Sequence, residues 1–180
     1  MTTPLPLIIG NWKMNMRVSQ ACELARSLVS GLLTVDKVEV AIAPSFTSLY
    51  SVGQIVKGSG LGLAGQNFYF ESSGAFTGEV SLEMLKDVGC GFALIGHSER
   101  RGIFGESDVS INKKIHHAIK MGITAVVCVG ENFEQRNSGA TLKIIETQLT
   151  NGLLGLSGND IAHLVIAYEP VWAIGTGLNA

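Results

Sequence analysis

Along the chain, short and almost uninterrupted apolar runs alternate with longer segments in which apolar residues return every three or four positions. The runs fall at residues 5–9, 38–43, 61–64, 92–95, 124–129 and 164–168. Each contains β-branched or aromatic residues and abuts glycine or proline, the pattern of strands buried in a parallel sheet. Between them, Ala21, Leu24, Ala25, Leu28, Val29 and Leu32 share one face of a helix. Ile111, Ile115, Ala118 and Ile119 repeat the pattern, as do Leu142, Ile145, Leu149 and Leu153. Gly89 and Gly122 stand just past helical stretches, where a left-handed C-terminal cap is expected.

Six apolar runs, each followed by a connecting segment with room for a helix, imply βα units and an α/β fold built on a parallel sheet. An open doubly wound sheet usually places a glycine-rich phosphate turn after its first strand. Here the first strand runs into Gly10-Asn11-Trp12-Lys13, which is no such turn. A (β/α)8 barrel fits better, although a closed one takes eight units and typically about 250 residues. The expectation is therefore one domain, residues 1–180, with about six barrel units. No linker or low-complexity tract suggests a second domain.

Composition narrows the partners. The chain has 180 residues, 46% of them apolar and 16% charged, which is globular rather than disordered composition. A net charge of −2, with both signs scattered, leaves no basic stripe for nucleic acid and no polybasic membrane patch. No apolar run approaches the roughly 20 residues that span a bilayer, and no basic segment precedes the apolar N-terminus as in a signal peptide. Cys22, Cys90 and Cys128 are odd in number and widely spaced, which points to reduced thiols in the cytoplasm and to neither disulfides nor a zinc site. The expected partners are a small molecule or a second copy of the chain.

Chemistry in a barrel sits at the C-terminal ends of the strands. The first strand ends at Asn11 and Lys13, which alternation would place on one face, with Trp12 on the other. Alone, Lys13 reads as well as a solvated edge residue. The fourth strand ends in Gly96-His97-Ser98-Glu99-Arg100-Arg101, a cluster of ionisable groups suited either to a site or to an ion-pair network. The sixth strand delivers Glu169 into Pro170-Val171-Trp172-Ala173-Ile174-Gly175-Thr176-Gly177. A carboxylate at such a junction is costly unless paired or used. The apolar, glycine-containing loop after it reads as a lid with exposed Trp172 and Ile174, and the alternative is a packed βα loop. A carboxylate base, a neutral imidazole and a lysine together suit proton abstraction beside a carbonyl. Glu169 would take the proton, His97 would polarise the carbonyl, and Lys13 would stabilise the developing negative charge.

Three peptides carry a closer likeness: Gly10-Asn11-Trp12-Lys13-Met14-Asn15, Ala93-Leu94-Ile95-Gly96-His97-Ser98-Glu99-Arg100-Arg101, and 167–177. With Gly65-Gln66-Asn67, Gly74-Ala75-Phe76-Thr77-Gly78-Glu79 and Cys128-Val129-Gly130-Glu131, in that order, the chain resembles the triosephosphate isomerase family. The resemblance implies a homodimeric glycolytic and gluconeogenic enzyme that interconverts dihydroxyacetone phosphate and glyceraldehyde 3-phosphate. It implies Glu169 as base, His97 as electrophile, and Lys13, Asn11, Glu99 and the lid residue Gly175 as groups serving the substrate. Thr77, Gln66, Glu79, Arg100 and Met14 fall at its dimer interface, and Cys128 packs beneath the base. Sequences of that family continue past the position of Ala180, so a catalytically inactive fragment that self-associates or needs a complementary C-terminal piece is the alternative. A metal-dependent sugar-phosphate epimerase is a further one, but no spaced His and Asp set for its metal is present.

Overall fold

The computed structural model describes residues 5–174. The chain divides into two compact units, residues 1–93 and 94–180.

In the first unit, β1 (Leu7–Asn11) pairs in parallel with β2 (Glu39–Ala43), from Leu7 opposite Glu39 to Asn11 opposite Ala43. β2 pairs with β3 (Gly62–Gly65), and β3 with the first half of β4 (Phe92–Ile95), again in parallel. The first strand begins and ends two residues later than its apolar run. Pro6 has no N–H to give a ladder, and its carbonyl instead accepts from Glu39 N–H at 2.9 Å. Helices α1 (Val18–Gly31), α2 (Phe46–Val56) and α3 (Leu82–Asp87) connect these strands. α1 turns Ala21 and Ala25 inward, and α2 adds Leu49, Val52 and Val56 to a core containing Ile42, Leu63, Phe68 and Leu85. Among the described residues no helix is long and apolar enough to cross a membrane.

The second unit holds α4 (Ser98–Gly102), α5 (Asp108–Lys120), β5 (Thr124–Val129), α6 (Phe133–Asn137), α7 (Thr141–Gly152), a 3-10 turn at Asp160–His163, and β6 (Leu164–Tyr168). β5 and β6 pair in parallel from Ala125 opposite Leu164 to Val129 opposite Tyr168. The last three strands match their apolar runs to the residue, but β6 is not the buried strand its run predicts, with Ile166 44% and Tyr168 48% exposed. Ile111, Ile115 and Ala118 on α5 are fully buried, as the helical spacing requires.

Gly89 and Gly122 do close helices α3 and α5. Both have positive φ, +97° and +68°. After each, two N–H groups reach back to helix carbonyls, Cys90 to Leu85 and Gly89 to Lys86, then Ile123 to Ala118 and Gly122 to Ile119. That is the Schellman cap, which satisfies carbonyls the helix leaves unpaired.

Candidate active site

Asn11 closes β1, and the Trp12 N–H extends the ladder by one bond to Ala43 O, 3.1 Å. Lys13 then adopts φ +52°, a left-handed conformation that costs a non-glycine residue about 1–2 kcal/mol. The alternation that would put Asn11 and Lys13 on one strand face therefore stops at Asn11. Two side chains hold the turn. Asn11 Oδ1 accepts from Lys13 N–H at 3.0 Å, and Gln66 Nε2 donates to Lys13 O and Ala43 O at 2.9 and 2.8 Å. Backbone strain of this kind persists only where its surroundings over-determine it, which makes Lys13 a positioned residue rather than a loose edge lysine. Met14, next along, is 95% exposed, and Thr77 and Glu79 are exposed in the loop before α3.

In the second unit β4 ends, and His97 stands at the first turn of α4 with its side chain only 11% exposed. Its Nδ1 accepts the Glu99 N–H at 3.2 Å, so that nitrogen carries no proton. The Glu99 carboxylate lies 3.5 Å from the same atom, beyond the closer backbone donor. The ring is thereby assigned as neutral with its proton on Nε2, which faces Glu169 Oε1 at 2.8 Å. Glu169 follows β6 and is 14% exposed. Its other oxygen accepts the Ser98 N–H at 2.9 Å, and Ser98 Oγ approaches Oε1 at 3.4 Å. Burial pushes the Glu169 carboxyl up, but the His97 and Ser98 hydrogen bonds outweigh it and hold it below the ordinary glutamate range. The Glu169 carboxylate and the His97 ring thus stand in direct contact.

A second carboxylate is held by the residues that flank Glu169. Glu131, just after β5, has no exposed surface. Tyr168 Oη donates to it at 3.1 Å, Thr141 Oγ1 at 3.2 Å, Arg136 at 3.4 Å and Trp172 Nε1 at 3.1 Å. The Arg136 guanidinium also covers the Trp172 ring, 4.3 Å from its centre. Burial pushes the Glu131 carboxyl up; hydrogen bonds from its own backbone N–H, Tyr168, Thr141 and Arg136 more than reverse this. Trp172, expected on the lid surface, is therefore half-buried and pinned, while Ile174 is 42% exposed. Two short turns, Ala173 N–H to Pro170 O and Ile174 N–H to Val171 O, shape the start of the loop. Gly175 lies outside the described residues.

His97 and Glu169 are thus brought together, with Glu99 beside the ring. The Arg100 side chain is occupied within its own unit, 3.4 Å from Glu106 and over the Phe104 ring. Two residues carry weight that the sequence reading did not assign. Ser98 contributes its N–H to Glu169, and Glu131 anchors the loop. The signal for Glu131 was present, since it stands two residues past an apolar run, and a carboxylate at a strand end is also what singled out Glu169. Cys128 is buried.

The triosephosphate isomerase family model matches residues 6–180. The triosephosphate isomerase of Endomicrobium trichonymphae is 47% identical over 97% of this chain and 70% of its own length. Those of Chlorobium phaeovibrioides and Chloroflexus aurantiacus are each 49% identical, over 97% and 96% of this chain and 69% of their own lengths. The crystal structure of triosephosphate isomerase from Bartonella henselae is 37% identical, with a TM-score of 0.85 over 93% of this chain and 68% of that one. That likeness shows the α/β barrel-family fold, of which the described residues form six strands, β1 to β6. A model match of this extent, with relatives of this identity, settles the grouping: the chain belongs to the triosephosphate isomerase family.

Proposed function

We propose that this chain acts as an aldose–ketose isomerase, interconverting dihydroxyacetone phosphate and glyceraldehyde 3-phosphate in glycolysis and gluconeogenesis. The observation that carries the reading is the 2.8 Å contact between Glu169 and a neutral His97 whose proton is on Nε2. Glu169 removes a proton from the carbon next to the carbonyl, giving an enediol(ate). The Nε2–H of His97 donates to the carbonyl oxygen, and the ring relays a proton between the two oxygens. Before substrate arrives these groups satisfy each other, so productive binding must insert the substrate between them. Lys13 supplies positive charge for the developing oxyanion, Asn11 and Glu99 serve substrate binding, and Gly175 offers its N–H to the phosphate. These roles are carried over from the family, and the strained, doubly held backbone at Lys13 supports the first of them.

The same reading makes the chain one protomer of a homodimer, with Thr77, Gln66, Glu79, Arg100 and Met14 at the interface. The 95% exposure of Met14, one of those residues, is in keeping with it. It also places the protein in the cytoplasm, in keeping with three free cysteines.

The test is isomerisation by the purified chain beside an identically prepared Glu169→Gln variant. A rate at least about a thousandfold above the variant is expected, the scale of losing a general base together with its positioning. Equal rates from folded preparations would reject catalysis by this chain and favour an inactive fragment.

A further inference from the structure

One arginine in the second unit bonds to the backbone around His97 and to the strand paired with the one that carries Glu169; its own N–H donates to His97 O at 3.0 Å, and its side chain does the rest. Arg101, on α4, donates from Nε to Gly96 O at 2.8 Å, the carbonyl directly before His97. Its Nη2 reaches Cys128 O at 3.3 Å, near the end of β5. Its Nη1 pairs with Asp108 Oδ1 at 2.6 Å, and Asn151 holds the other oxygen of that carboxylate at 3.2 Å. Three acceptors on three segments thus converge on one planar group that is 16% exposed.

The local backbone is shaped around this side chain. Gly96 has φ +70°, and a Cβ there would lie 2.8 Å from Ile111 Cδ1 and 3.1 Å from Arg101 Nη2. Bare Cα surface is what lets the guanidinium lie against the strand end. On the other side, β5 carries the ladder to β6, and its last carbonyl, Val129 O, accepts the Glu169 N–H at 2.8 Å. The guanidinium is therefore one bond from the residue before His97 and one strand pair from Glu169.

We propose that Arg101 is a positioning residue for the reaction: by fixing the Gly96 and Cys128 carbonyls it sets the separation and ring orientation of the His97–Glu169 pair. The inference rests on the isomerase reading above. A lysine keeps one charge for Asp108 but cannot hold three acceptors in a plane. Misplacement of reacting groups by about 1 Å costs on the order of a hundredfold in rate.

The experiment compares the full chain with Arg101→Lys and with Asn112→Ala, which removes the bridge from Asn112 to Gly152 O and Leu154 O. Unfolding, kcat, KM and the 15N resonances of the His97 ring are measured for each. Arg101→Lys is expected to lower kcat about 10- to 100-fold with KM within about threefold, and to shift the His97 Nε2–H signal. Asn112→Ala is expected to lower Tm while leaving kcat and that signal in place. If Arg101→Lys lowers Tm but keeps kcat and the His97 signal, the arginine is a structural staple and the proposal falls. Should Arg101→Lys fail to fold, Asp108→Asn loosens the same guanidinium from its far side, and the same readouts decide. If the parent chain is no faster than Glu169→Gln, the isomerase reading fails by itself. The substrate-free His97 signal then still tests the positioning.

Discussion

The indole N–H of Trp172 donates to Glu131 Oε1 at 3.1 Å, tying the turn that follows Glu169 to a carboxylate with no solvent exposure. Tyr168, one residue before Glu169, donates to the same carboxylate. Glu169 is thus bracketed at positions −1 and +3 by side chains that share one buried acceptor. Glu131 is in this sense a foundation for the site, although it meets no reacting atom.

Glu131→Gln keeps the shape but replaces an oxygen with an N–H2 group facing donors. It is expected to lower unfolding free energy by about 2–4 kcal/mol, the cost of a mispaired buried charged site. Trp172→Phe, which removes one neutral donor, should cost nearer 1 kcal/mol. Urea unfolding of the two variants checks the order, and equal small losses would contradict the bracketing role.

Glu169 has a folded-state carboxyl below the ordinary value of about 4.3. Such a group stabilises fully above its unfolded pKa and loses that contribution as pH falls through the lower folded value. The stability gap between the parent and Glu169→Gln should therefore be constant near neutrality and shrink from about pH 5 downward. Chemical denaturation at several pH values measures it. A gap that widens in acid would mean the carboxyl is raised instead.

A methyl group at Gly130 would overlap the carbonyl oxygen of Glu169. Neither backbone can yield easily, because Gln148 grips both sides of the Gly130 peptide, at 2.9 and 3.1 Å, and Val129 O holds Glu169 N–H. Gly130→Ala is expected to lose about 3 kcal/mol or more and to displace Glu169. Its urea midpoint, with isomerase rate as a second readout, tests this, and a near-parental midpoint would show that the strand end is softer than its bonds imply.

Thiol reactivity should follow burial. Cys22 is half-buried, whereas Cys90 and Cys128 are buried. Burial pushes Cys90 up to about 12; burial, then the Glu169 charge, pushes Cys128 higher still. At pH 8 iodoacetamide is expected to label Cys22 first and the other two only on unfolding. Peptide mass mapping before and after denaturant decides it, and early labelling of Cys128 would mean that the ground beneath Glu169 opens readily.

The strand–helix alternation, the strands at 92–95, 124–129 and 164–168, and the caps at Gly89 and Gly122 were all readable from residue order, although burial was readable only for the first two of those strands. Those features depend on local period and on which residues can enter a ladder or a left-handed turn. His97 and Glu169 were readable as well, because ionisable residues at the ends of apolar strands are conspicuous. What tertiary structure alone decided was pairing across distance. The proton on His97 Nε2, the Ser98 N–H on Glu169, the burial of Trp172 against Glu131, and the three acceptors of Arg101 each join segments far apart in sequence or turned by a local cap. A hydrogen bond fixes partners within a few tenths of an ångström, whereas periodicity fixes only the side of an element on which a residue falls.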